Sequence, residues 1–86
     1  MRTIIHLFER YEQMQYSFAY MSDECREHSK NYKISMSQMT IECFDPPPQR
    51  HIFSLAGKDE KLMGFDPRSI VVNPWLLTDR LKAKFY

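Results

Sequence analysis

Cys25, His28, Cys43 and His51 are the residues of this 86-residue chain best suited to chemistry, because two thiols and two imidazoles make the donor set of a tetrahedral zinc site. Cys25 and His28 would share one face of a helix and could chelate together, whereas Cys43 and His51 flank Pro46-Pro47-Pro48 and would have to be paired across strands. Their spacing is irregular for a zinc site. Both thiols also sit in apolar patterns where a cysteine behaves as a small buried hydrophobe. We therefore expect no metal and no other cofactor. Nucleophilic catalysis would need Cys25 or Cys43 beside an oriented histidine, and nothing local brings His6, His28 or His51 to either thiol. Two isolated glycines, Gly57 and Gly64, cannot build a phosphate cradle or a nucleophile elbow. The adjacent carboxylates Asp23-Glu24 and Asp59-Glu60 read as a helix start and a polar turn rather than an acid/base pair. The expectation is a protein that is not an enzyme, with no catalytic residues.

Binding chemistry has more material. Residues 1 to 45 carry a net charge of −2 and residues 46 to 86 a net +3, although the whole chain is only +1. The basic half contains Arg50, Lys58, Lys61, Arg68, Arg80, Lys82 and Lys84, with Phe53, Phe65, Trp75 and Tyr86 interleaved, a composition able to grip phosphates and stack bases. The bland reading makes Phe53, Phe65 and Trp75 core and the charges a solvated face. Pro46-Pro47-Pro48 is a stiff connection, or an extended ligand for a partner's aromatic groove.

These residues must be held by one domain, residues 1–86, since the length allows a single modest core. All five prolines and both glycines follow Asp45, so the first part of the chain can run in long elements and the second is cut short. Ile4, Leu7, Tyr11, Met14, Phe18, Met21 and Cys25 recur in steps of three and four, which predicts an amphipathic helix from about Thr3 to Ser29. The segment Thr3 to Phe8 nevertheless has strand propensity, and Ser22-Asp23-Glu24 could begin a separate helix.

Tyr32, Ile34 and Met36 alternate as a strand, and the phase flips to Met39, Ile41 and Cys43, so Ser37-Gln38 is a bulge or a tight reversal. His51–Ala56 and Lys61–Phe65 read as a hairpin about Gly57–Glu60, and Ile70–Val72 as a short strand. Asn73-Pro74 then reads as N-cap and first position of a last helix, burying Leu77, Leu81 and Phe85. The expected fold is α+β, with a long N-terminal helix, a small antiparallel sheet of four to five short strands and a short C-terminal helix. A small bent barrel would also fit.

A helix of about 26 residues would be about 39 Å long, against a diameter of about 30 Å for so short a chain. Such a helix would overhang its domain, and its stripe would need a cover. The expected partner-binding residues are Leu7, Phe8, Tyr11, Met14, Phe18 and Met21, with Tyr16 and Tyr20 adding aromatic surface beside them. The first expectation is a small regulatory or adaptor protein acting by protein–protein binding, as a homodimer. The alternative is a nucleic-acid-binding regulator using the seven cations named above. Two cysteines suit a reducing compartment and no apolar run is long enough for a membrane span, so a cytoplasmic location is expected.

Overall fold

In the computed structural model, which describes residues 1–85, the chain does not open with a helix. It begins with strand β1 (Arg2–Phe8), and helix α1 (Tyr11–His28) follows after Glu9-Arg10. The expected helix from Thr3 to Ser29 is corrected here. Thr3, Ile4 and Ile5 are β-branched and lose rotamer freedom in a helix, and their place in the sheet buries Ile5 and Leu7 on one side and partly covers Ile4, His6 and Phe8 on the other. The remaining strands are β2 (Tyr32–Ser35), β3 (Thr40–Cys43), β4 (Gln49–Leu55) and β5 (Ile70–Val72). Helix α2 (Asp59–Met63), a 3-10 turn at Pro74–Leu76 and helix α3 (Asp79–Phe85) complete an α+β fold.

The sheet order is β2-β3-β4-β1-β5. It is mixed rather than antiparallel. β2, β3 and β4 form an antiparallel meander, while β1 lies parallel to both β4 and β5. A parallel neighbour requires a crossover, and α2 lies on the one from β4 to β5. The hairpin expected at Gly57 is therefore replaced: Gly57, at φ +86°, turns the chain off β4, and Asp59 and Glu60 occupy the first turn of a helix that buries Leu62. The phase flip at Ser37-Gln38 is a tight reversal, with Ser35 paired to Thr40.

Two apolar layers sit on opposite faces of the sheet. On one face, Ile5 and Leu7 pack against Leu62 of α2, Leu77, and Leu81 of α3. On the other, Phe53 and Ile41 pack against Met14, Phe18 and Cys25 of α1. The last helix is split in two. Asn73 takes a left-handed conformation, φ 64°, and donates its side-chain amide to the Leu7 carbonyl at 2.9 Å, so it does not cap a helix. Thr78 caps α3 instead, its Oγ1 accepting from the Leu81 amide at 3.3 Å while donating to Asp59 Oδ2 at 2.8 Å.

Helix α1 has 18 residues, hence a length of about 27 Å, inside a body of 38 × 27 × 19 Å. There is no overhang. The surplus helix length on which the sequence argument rested is taken up by β1.

Leu81→Ala should lower the unfolding free energy by about 2–5 kcal/mol, a large part of the roughly 4–13 kcal/mol usual for this length. Urea denaturation followed by circular dichroism measures it, and a loss well under about 1 kcal/mol would show that Leu81 is not a core residue.

Candidate functional site

β1 and β4 run in register, with His6 beside Phe53 and Ile4 beside His51, and this brings the two strand histidines together on the α1 face. His6 Nε2 and His51 Nδ1 are 2.9 Å apart, and His51 Nε2 lies 3.2 Å from Gln49 Oε1. The Gln49 oxygen only accepts, so His51 carries its proton on Nε2 and its Nδ1 accepts from His6 Nε2–H. His6 Nδ1 and His51 Nδ1 are then the two unprotonated ring nitrogens, of which His51 Nδ1 accepts from His6. The His6 ring stacks on Phe53 with centroids 4.7 Å apart and planes 8° from parallel, and Phe18 meets Phe53 edge-on.

Burial lowers the His6 pKa from 6.5 to about 4, with the neighbouring His51 adding to the effect. Burial also lowers that of His51. The pair is neutral at neutral pH. As a metal site it offers two donors that already spend themselves on each other, fewer than zinc requires.

His6 forms part of the floor of a hollow of about 490 Å³ between α1 and the edge strand β5, with Phe8, Tyr16, Tyr20, Met21 and Val72 around it. Pairing of His6 with Val72 and of Ile4 with Ile70 puts Ile70 and Val72 on this same face. Both are exposed, as are Tyr16 at 77% and Tyr20 at 64%.

A second concavity, of about 730 Å³, lies where β3 leaves β4. β3 pairs with β4 as far as Thr40 opposite Ile52, and one more bond runs from the Phe53 amide to the Met39 carbonyl at 3.0 Å, so the end of β4 beyond Phe53 has left β3. Arg50, Lys58 and Lys61 line this groove with a single acid, Glu42. Tyr11 and Phe65 supply rings, and Ser37, Gln38 and Thr40 supply hydrogen-bonding groups.

The residues expected to bind a partner do not form one exposed stripe. Leu7 is buried beneath α2 and α3, and Met14 and Phe18, each 5% exposed, lie between α1 and the sheet. Phe8 and Met21 are half-buried, and Tyr11 alone of the six is open to solvent. The apolar period was that of the protein's own core. Among the expected nucleic-acid-binding cations, Arg50, Lys58 and Lys61 converge, and Arg80 shares a neighbouring hollow with the two lysines.

Arg68 is held by Asp66 through its backbone amide and guanidinium, and Lys84 donates to the Leu62 and Met63 carbonyls at the end of α2. Lys82 lies in the last turn of α3, away from the groove lining. Trp75 is 71% exposed and does not fill the core. Tyr86 lies outside the described residues.

Cys25, His28, Cys43 and His51 do not meet. Cys25 is buried under α1, Cys43 Sγ lies 3.5 Å from Ser29 Oγ, and both cysteines are free. Among the described residues, the one grouping of three metal-type donors is Glu24, Glu27 and His28, all exposed on α1. No helix of the described residues is long and apolar enough to cross a membrane. No family model, curated protein or solved structure matches this chain.

The histidine pair makes stability pH-dependent. Above about pH 6.5 His6 is neutral folded and unfolded; between pH 6.5 and about 4 the unfolded chain takes a proton that the fold resists. Stability should therefore fall as pH drops through that window and lose nothing further through His6 below it. His6→Phe should flatten the slope in urea titrations, and NMR should show His6 half-protonated near pH 4. Titration of His6 at an ordinary value near 6.5 would contradict the buried pair.

Proposed function

We propose that this is a small non-enzymatic regulatory protein that acts by protein–protein binding, and that its first partner is a second copy of itself, joined through the edge of β5 and the tyrosine face of α1. The observation that carries this reading is an unguarded sheet edge. Exposed edges are usually blunted with charge because their free backbone groups template further pairing. The opposite edge, β2, carries an exposed Lys33, with Lys30 just before it. From Ser69 to Leu77 there is no charged residue.

β5 also suits a twofold axis. Antiparallel pairing of two copies about Val71 places Ile70 of each opposite Val72 of the other, which makes two β-branched cross-strand pairs on the face that holds the hollow. Tyr16 and Tyr20 stand beside that face. They are large rings that lose little conformational entropy on binding, and they add the area that a three-residue strand lacks. A stable dimer buries about 800 Å² per copy, out of 5846 Å² of accessible surface here. The reading thus keeps partner binding on α1 but moves it from the buried stripe to the outer tyrosines. The two free cysteines suit a reducing compartment, and a cytoplasmic setting belongs to the same proposal.

Sedimentation equilibrium at micromolar concentration should give a dimer. Val72→Lys, which would set a charge against Ile70 of the other copy, should weaken it at least tenfold with folding intact by circular dichroism. Tyr16→Ala with Tyr20→Ala should weaken it too. A monomeric wild-type protein, or a dimer indifferent to all three changes, would sink the reading.

A further inference from the structure

We infer that the groove between β3, β4 and α2 is a binding site for single-stranded nucleic acid. The inference does not depend on dimerisation, because the groove lies away from the β5 edge, across β4 and β1. Three properties coincide there. The first is charge. The chain as a whole is +1, yet Arg50, Lys58 and Lys61 line one concavity against Glu42 alone. None of the three cations takes part in a salt bridge among the described residues. Arg68, by contrast, is occupied by Asp66, and Lys84 by backbone carbonyls. Arg80 and Lys82 are also outside these salt bridges, but Arg50, Lys58 and Lys61 are the ones that line a single groove, and they project into it from two different elements.

The second property is aromatic surface. Tyr11, at the start of α1, is 51% exposed and lines the groove, and Phe65 reaches it half-buried. Ring faces beside cations are what unpaired bases require, since stacking needs a base that is not already in a duplex. The third is shape. A cleft of about 730 Å³ cut into the end of a sheet accepts a single strand laid along it. A duplex would need a protruding helix or ribbon to enter its groove, and here the cations line a recess. An acidic peptide would satisfy the charge but leave the rings without stacking partners.

Fluorescence anisotropy with labelled single-stranded DNA and RNA of about 16 nucleotides tests this. Three phosphate contacts predict a slope of log K against log salt of about −2, so affinity should fall roughly 18-fold between about 50 and 200 mM salt. Arg50→Gln, Lys58→Gln and Lys61→Gln should each weaken binding and each reduce the slope by about 0.7. Arg68→Gln should change neither. Tyr11→Ala should weaken binding about fivefold or more with the slope retained, the signature of lost stacking rather than lost charge.

Three results would overturn the inference: no binding of either strand at low salt, equal competition by duplex DNA, or equal displacement by polyglutamate of matched charge. Binding that Val72→Lys abolishes together with the dimer would place the site across the twofold interface and would also overturn the groove assignment.

Discussion

β1 is paired on both edges, buried on one face and half-covered on the other, and the rest of the molecule is arranged to make that so. Ile5 and Leu7 lose essentially all their exposure beneath Leu62, Leu77 and Leu81, while His6 and Phe8 point the other way and meet Phe53. A strand flanked by parallel neighbours has its backbone donors and acceptors in two ladders, which an isolated hydrophobic run could not achieve in a core. β4 and β5 supply those ladders, each running alongside β1 in the same direction. Helices must then connect and cover the strands. α1 closes one face, and α2 with α3 closes the other.

That cover is uneven, and its unevenness produces the surfaces. α1 packs over Ile41 and Phe53 but leaves Ile70 and Val72 at the β5 edge open. The α2 and α3 layer packs on Ile5 and Leu7 and leaves Arg50 and Lys33 exposed on the row beyond. Each helical layer is therefore displaced toward one side of a five-stranded sheet. One displacement opens an uncharged aromatic hollow, the other a cationic groove. The two differ in chemistry and share only Phe53 in their linings.

Much of the architecture was legible in local pattern. Met14, Phe18 and Cys25 mark a helix and Leu81 marks the last one, although Leu77 proves to lie before it. The phase flip between Ile34 and Ile41 was legible, but that it is a reversal and not a bulge was settled by the pairing of β2 with β3. The first segment misled because Ile4, Leu7 and Tyr11 continue the helical period by accident, while Ile5 and Leu7 are the pair that counts in a strand. α2 was missed because five residues are too few to show a period, and Gly57 is equally at home in a hairpin. The histidine pair had no local sign at all: its members lie 45 positions apart and meet only through the β1–β4 register.

Composition and periodicity alone determined that this chain is α+β, that its basic residues gather in the second half, and that its cysteines and glycines make no recognisable catalytic motif. Only the tertiary structure decided which apolar residues are core and which are surface, since a stripe looks the same whether the protein's own sheet or a partner covers it. It likewise decided the parallel pairing, which joins residues far apart in the chain through backbone groups that every residue type shares. For the same reason the seven cations were readable as a set, but which of them face one groove depended on where α2 comes to rest against β4.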